Sequence, residues 1–355
     1  MIGKRIRLSD IADRLKITKV TVSKALRDHP DISKATRALV KKTAEEMGYS
    51  PNFLARSLSS RKTRTIGVVV PKIAHSFFSS IIDAIQSHAT EQDYGVILAV
   101  SNESSDLERQ HIERLLAMRV GGLLISVSQQ PADREIYRMV RTMGVPLVFF
   151  DRRLDGEAFS SVTVDDFDGA RRAVDRLIKS GYRKIAHIAG SDDTAIGRDR
   201  RSGYEEALRE NGIAVYESWI AKGGFDEQHG YDACREFLAH PELPEVIFAV
   251  SFPAGLGARA ALREAALNDR IELISFGAGG FDEFYMYPHY CIQQPTFEIG
   301  RRAVGLLLEE IRAQEEGDEI SPRHLTLETR LMVPGDRAEA LRTRLALRAD
   351  GSTQN

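Results

Sequence analysis

The feature of this chain that most constrains its fold is a change of pattern near residue 64. From Thr65 onward, apolar strands alternate with amphipathic helices, and several strands are near-continuous apolar runs, as in parallel sheets covered on both faces. The predicted strands cover residues 65–70, 95–100, 121–127, 146–151, 162–165, 184–190, 246–250 and 271–276. The predicted helices between them include residues 77–92, 107–118, 167–180, 201–211 and 257–266. These strands are too many for a single hydrophobic core, so we predict an α/β body of two doubly wound, parallel-sheet subdomains.

The residues before this change fit three short helices. The predicted helices, each with its expected cap, are 10–15 after Ser9, 19–26 after Thr18 and 34–47 after Ser33. Gly48 is expected to end the third helix in a left-handed conformation. Because the first two helices are short and their turn is about three residues, the pattern predicts an all-α helix-turn-helix head.

The charge of the chain is unevenly distributed. Residues 1–64 hold 16 Lys or Arg and 6 Asp or Glu, a balance of +10, whereas the remainder has a balance of −12 and the whole chain −2. A basic module on an acidic body is typical of a nucleic-acid-binding head. A solvated basic surface explains the charge bias alone equally well.

Other bulk features restrict the class of protein further. The two cysteines, Cys234 and Cys291, form no metal-binding spacing, and we expect them to be buried apolar residues in a reducing compartment. We see no secretion signal and no window of about 18 apolar residues, so we predict a cytoplasmic protein without a membrane span.

Several motifs occur in the order found in one family of bacterial regulators. The chain resembles the lactose/galactose repressor (LacI/GalR) family in the segments 18–26, 51–58, 65–71, 145–151, 164–170, 181–186 and 294–295. The resemblance covers essentially residues 6–334. It implies a homodimer with paired helix-turn-helix heads and a body similar to type I periplasmic binding proteins. A small molecule between the two subdomains would change affinity for a palindromic double-stranded operator.

The resemblance also implies a division into domains. Residues 1–50 would form the head, 51–64 a hinge helix and linker, 65–334 the effector-binding body and 335–355 a tail. Within the body, the N-subdomain would comprise about 65–163 and 295–322, and the C-subdomain about 164–294 and 323–334. Ala338, Leu341 and Leu345 have heptad-like spacing in the tail, but two heptads are too few to argue for a coiled coil, and we expect a frayed helix or a disordered tail.

By resemblance, the second helix would read the DNA. Lys19, Val20 and Lys24 would face base edges, while the hydroxyls of Thr18, Thr21 and Ser23 would hold phosphates or cap the helix. The family usually has Arg at the position of Lys24, and lysine is a flexible point charge without a bidentate fork. We therefore expect a related operator with a weaker or different base preference at that contact. Arg27 and Asp28 stand where the family commonly has Asn-Gly, so the turn after this helix is also expected to differ.

The hinge segment is too short to be a stable isolated helix, since about 12–15 residues are needed for even marginal stability in water. Pro51 suits a first helical turn, and Leu54 and Leu58 lie one turn apart. By resemblance, Asn52, Leu54 and Leu58 belong to the DNA-binding set. Leu54 would pack against the partner hinge and Leu58 would enter the minor groove and bend the duplex. An ordinary linker is the alternative.

Family positions for the effector are matched in part. The corresponding residues are His75, Phe78, Ser126, Asp151, Arg200, Ser251, Gly277 and Gln294. Asp151 and Arg200 suit sugar hydroxyls or an anionic group. However, the family commonly has Ala-Asn-Asp where this chain has Val250-Ser251-Phe252, and a carboxylate where it has Gly277. We expect a sugar, sugar acid or sugar phosphate, gripped by fewer polyol-binding side chains than usual.

Nearby aromatic residues leave two interpretations open. They are Phe276, Phe281, Phe284, Tyr285, Tyr287 and Tyr290. They would form a stacking platform for a flat or large ligand, or pack a subdomain edge or dimer interface.

Two other classes of function fit the sequence less well. A secreted solute-binding protein is disfavoured by the basic head. For an enzyme, the candidates are His187 and the cluster Asp165, Asp166 and Asp168. A core histidine, and helix capping with the helix dipole, explain them without catalysis. We find no nucleophile elbow, phosphate loop or zinc spacing, and predict no catalytic residue, metal or cofactor.

Overall fold

The structure is a computed structural model that describes residues 6–26, 28–49, 63–74, 76–128, 133–154, 156–277 and 290–332. The described residues form two compact units, divided between Thr63 and Arg64. The first unit is helical and the second is an α/β body, as predicted. The three-helix unit has its own hydrophobic core, separate from the clusters of the body.

Three helices make the first unit. They are α1 (Leu8–Leu15), α2 (Lys19–Leu26) and α3 (Lys34–Glu46). Ile11, Val22 and Val40, one from each helix, are fully buried at the centre of this unit. Burying one apolar stripe from each helix holds three elements together that are too short to persist alone.

The predicted caps are correct for two of the three helices. The hydroxyls of Thr18 and Ser33 accept hydrogen bonds from the backbone amides of Thr21 and Thr36, both at 3.1 Å. Ser9, expected to cap α1, instead lies inside that helix. The helix begins earlier because the Asp10 carboxylate accepts a 2.7 Å hydrogen bond from the amide of Arg7. Gly48 follows α3 with a φ of +66°, as expected.

In the turn after α2, Asp28 adopts a φ of +55°. Asparagine and aspartate tolerate this left-handed region better than most residues. Two side chains of α3 hold the residue: Arg37 donates to its carbonyl oxygen at 2.9 Å, and Lys41 contacts its carboxylate at 2.7 Å. The turn is thus anchored from α3.

The body contains two six-stranded sheets. The strands are β1 (Thr65–Val70), β2 (Gly95–Val100), β3 (Gly122–Ile125), β4 (Leu147–Phe150), β5 (Ser160–Val164), β6 (Ile185–Ile188), β7 (Ile220–Ala221), β8 (Val246–Ala249), β9 (Glu272–Gly277), β10 (Tyr290–Gln293), β11 (His324–Leu327) and β12 (Arg330–Met332). The first sheet has the order β11-β5-β4-β3-β1-β2 and the second β12-β10-β9-β8-β6-β7. Neighbouring strands are parallel except for the antiparallel pair β10 and β12.

Helices cover both faces of each sheet. They are α4 (Ser76–Glu91), α5 (Ser105–Ala117), α6 (Arg134–Thr142), α7 (Asp166–Lys179), α8 (Ala195–Glu210), α9 (Glu227–Leu238), α10 (Phe252–Glu264) and α11 (Thr296–Glu316). Each sheet accordingly has two hydrophobic clusters, one on each face. The central strands are buried along their whole length, which explains why they are continuous apolar runs in the sequence.

The chain crosses between the two sheets three times within the described residues. The crossings lie between β5 and α7, between β10 and α11, and between β11 and β12. The expected boundary at residue 323 is wrong for β11, which pairs in parallel with β5 in the first sheet. This short strand escapes a sequence reading because it lies at the sheet edge and alternates between exposed and half-buried residues.

Two further findings concern the cysteines and the question of a membrane span. Cys234 and Cys291 are both buried free thiols. Burial raises the pKa of the Cys234 thiol to about 12, so this thiol stays protonated. Among the helices that the structure describes, none is long and apolar enough to cross a bilayer.

Candidate functional site

The exposed surface of α2 is the first candidate site. Val22 and Ala25 face the core, so Lys19 and Val20 face solvent, and 64% of Val20 is exposed. An exposed valine beside a lysine on a short helix suits contact with a base edge or a thymine methyl group. The hydroxyl of Thr18 caps the helix and lies 2.9 Å from that of Thr21. The two hydroxyls therefore have a structural role in the unit by itself.

Ser23 and Lys24, the remaining expected contacts on α2, are half-buried. The ammonium nitrogen of Lys24 lies 2.8 Å from the Asp31 carboxylate, a partner that was not anticipated from the sequence. Asn52, Leu54 and Leu58 lie outside the described residues. The DNA-contact assignment therefore stays a prediction for all nine positions.

The second candidate site is a cavity of about 270 Å³ in the body, between the two sheets. Its walls come from loops that follow the carboxyl ends of parallel strands, where open α/β sheets usually bind ligands. Six of the eight expected residues line it: Phe78, Asp151, Arg200, Ser251, Gly277 and Gln294. Ser126 lies behind the wall, fully buried, and donates a 3.2 Å hydrogen bond to Asp151. His75 lies outside the described residues.

Arg200 is at the centre of a network on the side of this cavity, or cleft, that belongs to the second sheet; this side is called the second half of the cleft, and the side of the first sheet is called the first half. It is 4% exposed, and its Nε and Nη2 lie 2.7 and 2.6 Å from one oxygen of Asp166. Its other contacts are the carbonyl oxygen of Val250 and, at 3.2 Å, the side-chain oxygen of Gln294. The guanidinium also lies 3.6 Å from the centroid of the Phe276 ring. Most of its donors are thus used within the protein, so Arg200 braces the cleft.

The buried position of Asp166, beside Arg200, determines the pKa of its carboxyl. Desolvation raises the pKa of Asp166 to about 6, although the neighbouring Arg200 acts to lower it. Asp165, beside it, is the residue that caps α7, accepting a 2.8 Å hydrogen bond from the amide of Asp168. Helix capping, the explanation expected for the acidic cluster, is confirmed for Asp165. Asp166 instead forms an ion pair with Arg200, which was not predicted.

Asp151 is the buried carboxylate of the first half of the cleft. It follows β4 with a φ of +61°, and its amide donates to the carbonyl of Val162 at 2.9 Å. Desolvation raises the pKa of Asp151, opposed by the charges of Arg152 and Arg200. A buried carboxylate that lines a cavity is suited to accept hydrogen bonds from hydroxyl groups of a ligand.

Sequence reasoning missed Arg152 and its two partners. Its guanidinium donates to both oxygens of Glu103, at 3.1 and 2.9 Å, and lies 5.3 Å from the ring centroid of Phe225. Arg152 belongs to the first half of the cleft and Phe225 to the second, so this cation–π contact spans the cavity. Arg152 follows the end of β4, and Glu103 follows the end of β2. This position at the carboxyl ends of two strands is the sequence signal that would have identified Arg152 and Glu103.

Five phenylalanines give the cavity its apolar surface: Phe77, Phe78, Phe225, Phe252 and Phe276. Of the aromatic group expected near β9, Phe276 lines the cavity, while Phe281, Phe284, Tyr285 and Tyr287 lie outside the described residues, and of Tyr290 only the backbone is described. The Phe225 ring is seated against Gly190, where a Cβ atom would come within 2.5 Å of the ring. The cavity thus combines aromatic faces with a few charged groups.

The enzyme candidate His187 is a core residue. It is fully buried, its Nδ1 lies 2.9 Å from the carbonyl oxygen of Phe248, and its ring stacks on Phe248 at 4.5 Å. Burial lowers the pKa of His187 to about 4, so the ring is neutral. In the described part of the chain, no three His, Cys, Asp or Glu side chains come together as they do around a metal ion.

Comparison with known proteins identifies both units. Residues 7–52 match the profile of bacterial regulatory proteins of the lacI family, and residues 63–329 match that of periplasmic binding proteins and the sugar-binding domain of the LacI family. The repressor CytR of Escherichia coli K12 is 32% identical over 312 residues, which cover 87% of this chain and 91% of CytR. The repressor PurR of Haemophilus influenzae strain PittEE is 30% identical over 314 residues, covering 87% and 92%.

Solved structures agree with this assignment. The regulator CelR in complex with cellobiose is 29% identical, with a TM-score of 0.68 over 93% of this chain and 99% of CelR. The lac repressor dimer bound to operator and an anti-inducer has a TM-score of 0.79 over 93% and 98% of the two chains, at 23% identity, which supports the fold. With both units matched in order, and with the repressors CytR and PurR at least 30% identical over most of both chains, the chain belongs to the LacI family of bacterial transcriptional regulators.

Proposed function

We propose that this protein binds a palindromic operator as a homodimer and represses a carbohydrate or related catabolic operon, under the control of a small molecule bound in the body. The observation that carries the proposal is the pairing of a three-helix unit, whose α2 exposes Lys19 and Val20, with a two-sheet body around a charged cavity. The proposal places its action in the cytoplasm, where the DNA is, and assigns it no catalytic step.

Two exposed apolar residues support the dimer. Ile97 and Leu98 lie on the edge strand β2 and are 36% and 40% exposed, although the central strands β1, β3 and β4 of the first sheet are buried. An edge strand with exposed apolar side chains favours pairing with a second copy. Sedimentation of the purified chain would report a dimer, and a monomer at micromolar concentration would contradict it.

Selection from a pool of double-stranded oligonucleotides, followed by footprinting, tests DNA binding. We expect enrichment of one palindromic sequence and protection of two half-sites. Absence of any enriched sequence at low salt would refute the proposal.

Leu58→Ala tests the hinge assignment, which covers residues 51–64. Loss of a wedge in the minor groove should weaken binding to the selected palindrome at least tenfold and leave binding to a scrambled duplex at low salt unchanged. Equal weakening of both would show that Leu58 has no wedge role.

For the effector we propose a sugar, sugar acid or sugar phosphate that contacts Asp151 with one side and the phenylalanine rings with another. The CelR neighbour binds cellobiose, which supports a carbohydrate. Gly277 supplies no side chain at the family's carboxylate position, so Asp151 and Arg152 carry more of the polar recognition here.

A thermal-shift screen of these three compound classes against the full chain would identify the ligand. Asp151→Asn keeps the shape but removes the charge, and we expect it to reduce the shift given by the best compound. Asp175→Asn changes a surface ion pair on α7 and serves as the matched control. Equal shifts in both variants would exclude Asp151 from the site.

A further inference from the structure

The ion pair of Lys24 and Asp31 lies on the candidate DNA surface and has a defined geometry. Lys24 is in the last turn of α2, and Asp31 follows in the turn before α3. Their charged atoms are 2.8 Å apart, with 35% and 58% of the side chains exposed. Lys24, which the resemblance to the family predicts to face a base edge, therefore already contacts a carboxylate of its own chain.

The backbone fixes the position of Asp31. Arg37 of α3 anchors the turn by donating to the backbone carbonyl oxygen of Asp28 at 2.9 Å, a contact that does not involve the Asp28 side chain. The amide of His29 donates to the carbonyl of Lys24 at 3.0 Å, and the amide of Asp31 donates to His29 Nδ1 at 3.3 Å. Because these contacts order the turn, Asp31 is held facing the end of α2.

A lysine without a partner attracts any phosphate, whatever the sequence, since its ammonium is a compact charge on a flexible stem. A carboxylate at hydrogen-bonding distance offsets that charge and gives the side chain one preferred direction. Lys19 and Val20, on the first turn of α2, are exposed, and Asp31 lies beside the last turn, where it contacts Lys24.

We propose that Asp31 is a specificity-determining residue of the DNA-binding surface, because it restrains Lys24 and limits its contact with phosphates of non-operator DNA. The proposal rests on the DNA-binding function proposed above. Asp31 acts through Lys24, so it is a positioning residue and need not touch DNA itself.

The chain offers a matched control for the test. Asp28 is also 58% exposed and lies 2.7 Å from a lysine, but that lysine, Lys41, is on α3. Asp31→Asn and Asp28→Asn change the net charge equally, and asparagine tolerates the left-handed conformation at position 28. Only the first substitution releases Lys24.

The experiment uses the full chain, a pool of duplexes with randomised half-sites, and a scrambled duplex of equal length. We expect D31N to bind the scrambled duplex at least threefold more tightly than D28N, and its ratio of selected to scrambled affinity to fall at least threefold. We also expect base preference to broaden at one position of each half-site. In a Lys24→Gln background, adding D31N should change the scrambled-duplex affinity no more than adding D28N does.

Equal affinities for D31N and D28N would overturn the proposal, because net charge alone would explain them. So would a larger effect of D31N than of D28N in the Lys24→Gln background, since it would not pass through Lys24. Thermal unfolding of each variant verifies that the head is folded. If the wild-type chain enriches no sequence, the proposed function fails; if it enriches a palindrome and D31N matches D28N, this inference alone fails.

Discussion

At the scale of single residues, the cleft depends on buried charges that compensate one another. Arg200 and Asp166 are 4% and 6% exposed, and each is the main charge partner of the other. Taking two charges out of water is costly, so a buried pair contributes little net stability but is expensive to break. Its position beside the β5–α7 crossing suggests that it keeps the cleft in shape.

Arg200→Met should therefore destabilise the body by about 3–5 kcal/mol at neutral pH, since the buried Asp166 would lose its cation and would have to stay charged without a partner or take up a proton. Folding raises the pKa of Asp166 from near 4 to about 6. The folded protein therefore loses stability as the pH rises through this range, because the buried carboxyl has to give up its proton. Removing Arg200 raises that pKa further, so the penalty should be smaller at pH 5 than at pH 7.5. Urea unfolding at both pH values measures it.

Adding Asp166→Asn to this variant is the control. It removes the orphaned charge and should restore part of the stability at pH 7.5. A penalty that is the same at both pH values would mean that Arg200 matters through packing on Phe276 alone.

The residue scale also shows where sequence reasoning stops. Asp151, Arg200 and Gln294 were predicted for the cavity from the resemblance to the family, and all three line it. Arg152 was missed because its role depends on Glu103, 49 residues away, and on Phe225 across the cleft. Such contacts between distant segments have no periodic signal in one sequence.

At the scale of elements, the length of an uncharged, largely apolar run decides what can be predicted. The strands Thr65–Val70 and Gly95–Val100 begin and end as predicted, because each is a run of six residues without a charged side chain. The strands β7, β10, β11 and β12 were not predicted, because short strands near the sheet edges lack such runs. Helix α10 begins at Phe252, five residues before the predicted start, because the Ser251 hydroxyl caps it.

Close helix packing gives a prediction at this scale. Helices α9 and α10 meet at Gly257, where a Cβ atom would lie 1.8 Å from the carbonyl oxygen of Glu227. Gly257→Ala should cost about 3 kcal/mol of unfolding free energy, because the backbone must move apart. Gly305→Ala in α11, where no atom lies within 4 Å, should instead stabilise by about 0.5–1 kcal/mol. Urea unfolding of the two variants compares them, and similar effects of either sign would contradict the packing argument.

At the scale of the whole molecule, the two units carry opposite charge. Residues 1–64 have a balance of +10 and the rest −12, so the small net charge conceals a basic head on an acidic body. The acidic body repels the phosphate backbone while the head attracts it. Only the head is therefore expected to stay close to DNA during a search, and the body is left to respond to its ligand.

This charge separation predicts steep salt dependence of DNA binding. If a dimer neutralises about 6–10 phosphates through its two heads, raising KCl from about 50 to about 200 mM should weaken binding by a factor of about 10³ to 10⁵. Fluorescence anisotropy with a selected palindrome measures the slope of log affinity against log salt. The midpoint of thermal unfolding of the body should change little over the same range, because its buried pairs are screened weakly. A shallow slope with intact sequence selection would mean that base contacts by residues such as Val20, and not phosphate contacts by the lysines and arginines of the head, supply most of the affinity.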